Sequence, residues 1–380
     1  MADTPVLDAP KKERNAGIEL FRCVSMFLIL VLHVLGQGGV IAYTGGARIA
    51  QYRAAWFLET LGYCSVNCYA LISGYVNKDK ELKLRRYVLL WLEVVFWLVV
   101  PLLVSKFFFP SVKITEGDVW EGLMPVTYKV FWYFNAYTLL FPFIPLLNRG
   151  LEKLSKTQHQ TILAFLFITT SVTHVINGAD NFVLSSGYSA MWLIVLYVFG
   201  AYFRIHGAPK WAKWYVTIPV FLLSWGFAWA MKIHQTDLLD AGIITSDDIN
   251  YSILGRYVQY TSPFMVIMAV CLLIFFSNVK LRTNVGKKVI TLMGKCSFGV
   301  YLFHVGPIMW QYFMRYRYKG YAYETPGMLM VKVLITALVL FIVFDAASMI
   351  RYAIFRYCGI NKLVNKLADY IAGDKPEKGE

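Results

Sequence analysis

Three ionisable residues stand inside an apolar run near the start of the chain. They are Glu19, Arg22 and His33, within NAGIELFRCVSMFLILVLHVLGQGG at residues 15–39. Ionisable side chains are costly in hydrocarbon, so inside a spanning segment each is a functional candidate. Arg22 and His33 lie eleven residues apart. On an α-helix that is three turns plus roughly 20°, so both leave one face, about 16 Å apart along the axis. Glu19 precedes Arg22 by three positions, within pairing reach. An imidazole can serve as general base or as nucleophile, and an arginine can hold an anionic group. An imidazole bonded to a neighbouring helix and a buried ion pair are the structural alternatives for the same residues.

The elements that position these residues follow from composition. Of 380 residues, 58% are hydrophobic and only 16% charged, where a soluble domain carries about 25% charged residues. Mean hydropathy is +0.52. These values exclude an ordinary soluble domain and predict an all-α, polytopic membrane protein. The first apolar run has no cleavage site and is followed by others, so it is read as a span, not a signal peptide. Ten apolar segments are expected to cross the bilayer, at about 17–36, 54–76, 86–109, 130–147, 160–177, 189–204, 213–231, 254–277, 294–313 and 328–357. With the N-terminus inside, 25 Lys and Arg fall on the inner side and 9 on the outer. The positive-inside rule then places both termini in the cytoplasm. The net charge of +14 is read as basic loops on an anionic leaflet, with no nucleic-acid partner. Residues 1–14 form a cytoplasmic segment, 15–358 the membrane domain, and 359–380 a basic cytoplasmic tail that includes a short surface helix. No further domain is expected after the tenth segment. The six cysteines lack metal-ligand spacing and are read as packing residues, with neither disulfide nor metal.

Other polar residues sit where lipid disfavours them. The second segment contains VNCYALISGYV, residues 66–76, with Asn67 and Ser73 as ligand or helix-contact candidates. Ser73-Gly74 permits close helix packing. Just inside lie Lys83, Arg85 and Arg86, a surface cluster also suited to gripping phosphate. Glu93 and Asp345 are candidates for pairing a buried cation or carrying a proton. Trp132 and Tyr133 open the fourth segment at the outer interface. Arg256, Tyr260 and Pro263 are placed in the eighth. His304 precedes Gly306 and Pro307 in the ninth, which predicts a bent helix with a buried imidazole. The loop at 232–253 is placed outside and carries Asp237, Asp240, Asp247 and Asp248.

Together these residues resemble the membrane acyltransferase-3 family of bacterial cell-surface O-acyltransferases. The resemblance rests on Arg22-x10-His33 preceded by Glu19, the segment at 66–76, the cluster at Lys83 to Arg86, Trp132-Tyr133, and SFGVYLFH at Ser297 to His304. One departure is Lys83-x-x-Arg86, where relatives often have Arg at both positions; Lys lacks the bidentate fork. The resemblance implies transfer of an acetyl group from cytosolic acetyl-CoA to a hydroxyl of a surface polysaccharide or lipid-linked glycan, in the bacterial cytoplasmic membrane. His33, Arg22 and Glu19 are then the catalytic candidates, and Lys83, Arg85 and Arg86 the donor-binding ones. Tyr133, Trp132, His304, Asn67 and Ser73 face the acceptor. Rival readings are a transporter or flippase for a surface glycan, a non-catalytic sensor or scaffold, and transfer of a larger acyl group such as succinyl. No internal repeat of the transporter kind is visible.

Overall fold

A computed structural model describes residues 14–78, 83–178, 180, 182–244 and 255–372. Among them the secondary structure is helical, and no strand occurs. The elements that matter here are α1 (Ala16–Leu35), α2 (Ala50–Asn77), α3 (Leu84–Phe108), α4 (Glu116–Leu123), α5 (Trp132–Glu152), α6 (Lys156–Phe167), α7 (Thr173–Asn177), α8 (Ala190–His206), α9 (Trp214–Asp240), α10 (Pro263–Ser277), α11 (Asn284–Val305), α12 (Pro326–Tyr357) and α13 (Ile360–Ala372). A π-helical turn at Ile168–Val172 carries α6 into α7.

Each of the ten expected apolar segments overlaps a helix among the described residues, but the helices differ in length. Five are long and apolar enough to cross a membrane: α1, α3, the α6–α7 unit through Ile176, α9 and α12. A sixth arises if α11 and Met309–Tyr323, bent by 74°, form one span. Helices α8 and α10 are shorter apolar helices.

Helix α1 is the core element. Its most apolar window is 72% buried, against 22–28% for the other four long helices. It packs on α2, α11, α12 and α10. Asn15 starts it, accepting from the Gly17 amide at 2.9 Å while donating to the Ser277 carbonyl at the end of α10. A helix surrounded on all sides can carry ionisable groups, because its faces meet protein and not lipid tails.

Close packing between apolar helices relies on small residues, since lipid is as apolar as Leu. At the α2–α8 crossing the two glycines are reciprocal. A Cβ on Gly74 would lie 2.1 Å from the Tyr197 carbonyl oxygen, and one on Gly200 would lie 2.0 Å from that of Leu71. On α11, a Cβ at Gly294 would meet Glu19 Oε2 at 2.5 Å, so this glycine lets α11 settle against the polar start of α1.

Three expected boundaries are corrected. Helix α11 begins at Asn284 instead of near 294, because Thr283 caps it by accepting from the Gly286 amide at 3.1 Å, and it ends at Val305. Helix α10 starts at Pro263, a residue suited to the first helical position. Arg256 and Tyr260 therefore precede it in a turn. Helix α9 runs on to Asp240 instead of ending near 231. Its last turns are held by Lys232 over the Trp56 ring at 4.3 Å, Asp237 on Arg48 at 2.9 Å, and Asp240 on the Ala47 amide at 2.8 Å. Asp247 and Asp248 lie outside the described residues, as do residues 1–13, the Lys80 part of the basic loop and the tail from 373. Of the tail, α13 lies against α3 and α12, burying Val364 and Ala368 and turning Leu363, Leu367 and Tyr370 outward.

Candidate active site

The C-terminal end of α1 meets the end of α11. Backbone bonds from Tyr316 N to Gln37 O and from Tyr318 N to Gly38 O, both 2.9 Å, fasten the turn after α1 to the segment after α11. Helix α11 stops at Val305 because Gly306 leaves helical geometry and Pro307 has no amide to offer. This arrangement places His33 Nδ1 2.7 Å from His304 Nε2.

The hydrogen bonds fix the tautomers. His304 Nδ1 lies 2.6 Å from the Val300 carbonyl, which only accepts, so Nδ1 carries the proton. His304 Nε2 is then a lone pair and accepts from His33 Nδ1–H. His33 Nε2 is left as an unprotonated nitrogen. It has no hydrogen-bond partner among the described residues and is not among the fully buried, unpartnered atoms, so it is open to the adjoining cavity. Trp310 presents an edge-on contact to His33, with centroids 4.8 Å apart and planes at 89°. Phe344 lies parallel to His304. The imidazole of His33 is thus oriented by a second imidazole and an aromatic wall, as a base or nucleophile requires.

Two cavities lie beside α1 within the bundle. The one at His33, about 30 Å³, is walled by Ile29, Tyr69, Trp132, Tyr133, Tyr260 and Tyr301 among others. The one at Arg22, about 260 Å³, is walled by Ser73, Asn77, Glu93, Tyr137 and Lys295 among others. Tyr69, Tyr133 and Phe298 border both. The face of α1 that carries Arg22 and His33 therefore runs alongside two chambers that meet at a ring of three aromatic side chains. Ser297 holds Tyr69 in this ring through a 2.6 Å bond between hydroxyls.

Arg22 is paired with Glu19 at 3.2 Å, and Glu19 also takes Arg14 at 3.1 Å. Glu19 is buried and Arg22 half-buried, so the carboxylate fixes the guanidinium at the cavity wall. Glu93 pairs with Arg351 of α12. Asp345 is buried, and neither carboxyl oxygen has a hydrogen-bond partner among the described residues. The basic cluster stands at the start of α3, with Lys83 as the residue before the helix. Arg86 lies within electrostatic reach of Tyr137, as does Arg22.

The family model for this acyltransferase domain, acyltransferase-3, matches residues 15–347. The chain belongs to the acyltransferase-3 family. It is an acyltransferase, and its apolar helices make it a membrane protein. No curated protein and no solved structure matches the chain.

Within this acyltransferase the site candidates fall into three groups. His33, Trp132 and Tyr133 wall the smaller cavity, and Arg22, Ser73 and again Tyr133 the larger. His304 is fully buried with both nitrogens bonded, so it faces His33 and not a ligand. Asn67 is also turned away: its amide donates to the Tyr260 carbonyl at 2.7 Å and accepts from Trp192 Nε1 at 3.0 Å. It is a bracket that holds Tyr260 at the cavity wall. Lys83, Arg85 and Arg86 do not line either cavity.

Sequence reasoning missed the His33–His304 pair as a unit, Lys295 and Tyr137 on the larger cavity, and Glu59 in the first half of α2. A signal existed for Glu59 and Lys295, ionisable residues inside the apolar segments at 54–76 and 294–313.

Proposed function

We propose that this membrane acyltransferase moves an acetyl group from cytosolic acetyl-CoA to a hydroxyl of an extracytoplasmic polysaccharide or glycolipid, in the bacterial cytoplasmic membrane. The observation that carries the reading is the pair of chambers along α1, one beside Arg22 and one beside His33, joined at Tyr69, Tyr133 and Phe298. The surplus of inner-side Lys and Arg supports ten crossings with both ends of the 15–358 membrane unit in the cytoplasm.

Acetyl-CoA is anionic at its nucleotide end and uncharged along its pantetheine arm. Arg86, Arg85 and Lys83 grip the phosphates at the inner mouth, Arg86 with a fork and Lys83 as a point charge. The arm enters the larger chamber past Arg22, which Glu19 holds in place. The thioester reaches the aromatic ring beside His33. The smaller cavity has room for about two waters, which suits acetyl better than succinyl.

His33 Nε2 takes the proton of the acceptor hydroxyl as its oxygen attacks the thioester carbonyl. The C–O bond forms, the C–S bond breaks, and the imidazolium returns the proton to the CoA sulfur. Separate chambers also favour a relay. There Nε2 attacks the thioester and the C–S bond breaks, leaving CoA thiolate and an acetyl-imidazolium that keeps its Nδ1 proton; the acceptor hydroxyl then attacks that acetyl group, the C–N bond breaks to release neutral imidazole, and the hydroxyl proton passes to water. In either course His304 keeps the proton on Nδ1 of His33 and so keeps Nε2 available.

Mass spectrometry of surface polysaccharide from cells with the gene, without it, and with His33→Ala tests the proposal. One acetyl per repeat is expected only with the parent gene. Undiminished acetylation with His33→Ala at normal membrane levels refutes the role of His33, and an unchanged glycan on deletion refutes the reaction.

A further inference from the structure

Glu59 is only 7% exposed, on a helix that packs against α1. Its Oε2 is fully buried with no hydrogen-bond partner among the described residues. A buried carboxyl without partners is costly, and such groups persist where a ligand completes them. Its place is specific. A Cβ added at Gly36 would lie 4.0 Å from Glu59 Oε1, so the carboxyl sits over the bare backbone of that glycine. Gly36 follows His33 by three residues, close to one turn further out on neighbouring positions of the same helix side.

Around the carboxyl stands a group of aromatic rings. Tyr63, Tyr188 and Tyr260 are all within its electrostatic reach. Tyr63 and Tyr260 have centroids 5.5 Å apart, and Tyr188 and Tyr260 4.9 Å. Trp132 adds its ring at 4.6 Å from Tyr188 and lies nearly parallel to Tyr260. Trp132 and Tyr260 also wall the His33 cavity, so the aromatic group continues into it. Flat aromatic faces cover the C–H side of a sugar ring, and a carboxyl accepts from its hydroxyls. Gly36 lies three residues after His33, about 4.5 Å further along the helix axis, so the carboxyl stands over α1 less than one helical turn from the His33 position.

We infer that Glu59 is an acceptor-binding residue: its carboxyl bonds to hydroxyls at one edge of the sugar ring that carries the reacting hydroxyl, while Trp132 and Tyr260 carry the aromatic group from Glu59 to the wall of the His33 cavity. The inference rests on the reading that the acceptor is a glycan. It adds the residue that selects a polyhydroxylated acceptor over water or a simple alcohol.

The test uses the full chain in vesicles, labelled acetyl-CoA, and total surface polysaccharide from cells lacking the gene as acceptor probe. Glu59→Gln keeps the shape but turns half of the acceptor group into a donor. It is expected to raise KM for polysaccharide about tenfold, as a buried hydrogen bond left unmade does, with KM for acetyl-CoA held. Glu59→Asp keeps the carboxyl but shortens the arm, and is expected to raise the same KM at normal yield of membrane protein. An acceptor KM within twofold of the parent in both variants overturns the inference. So does a change in which both KM values move together, the mark of a structural role. If the parent itself transfers no label to polysaccharide, the glycan reading fails and takes this inference with it.

Discussion

His304→Phe isolates what the second imidazole contributes. The variant keeps a flat ring beside Phe344 and Tyr301 but removes the nitrogen that accepts from His33 at 2.7 Å. His33 Nδ1–H then loses its only bond, and the two tautomers are no longer distinguished. A buried donor left unsatisfied costs about 1–3 kcal/mol. At 1.36 kcal/mol per factor of ten in rate, kcat is expected to fall roughly 5- to 160-fold. The full loss of a general base costs about 10²- to 10⁴-fold, so His33→Ala sets the floor. The assay is initial-rate transfer of labelled acetyl to polysaccharide in membranes matched for protein content. KM for acetyl-CoA is expected to stay constant, because His304 touches neither chamber. The double variant is expected to be no slower than His33→Ala alone, since His304 acts through His33. A parent-like rate in His304→Phe, or losses that multiply in the double variant, refutes the tautomer argument.

Two further predictions concern the donor mouth and the bundle. Arg86→Ala is expected to raise KM for acetyl-CoA about tenfold, and Lys83→Ala by less, because only the guanidinium offers a bidentate fork; titration of initial rate against donor concentration measures both. Gly200→Leu is expected to lower the thermal midpoint in detergent by at least the equivalent of the about 1–3 kcal/mol usual for overpacking, because its Cβ meets the Leu71 carbonyl. Gly226→Ala on α9, where an added Cβ meets nothing within 4 Å, is expected to hold or raise that midpoint.

Local features of the site were legible in the chain. The shared face of Arg22 and His33 follows from helical period alone, and the chambers beside both are what that face implies. The pairing of Glu19 with Arg22 follows from a three-residue step, and the bend after His304 from Gly306-Pro307. What could not be read is contact between distant segments. His33 and His304 are 271 positions apart, and no period or propensity connects them. Asn67 reads from the chain as either a ligand contact or a helix contact; its bonds to the Tyr260 carbonyl and Trp192 make it a contact between elements, with partners supplied from remote positions. Hydropathy alone carries the eighth segment back to 254, while Pro263 after Ser262 marks a first helical position, and the local signal is the one the fold follows. The end of α9 was not legible, because the polar residues that suggested a loop are absorbed by Trp56, Arg48 and Ala47 across the bundle. Glu59 carries no spacing relation to Arg22 or His33, so only the geometry at Gly36 gives it a place.

The most direct measurement is vectorial transfer in sealed vesicles. The parent protein is reconstituted with its inner face toward the lumen, labelled acetyl-CoA is trapped inside, and polysaccharide from gene-deleted cells is supplied outside. Label is expected on the external polysaccharide with the parent protein and absent with His33→Ala. Label that appears only when donor and acceptor share one side, or that persists without the His33 imidazole, contradicts a route along α1.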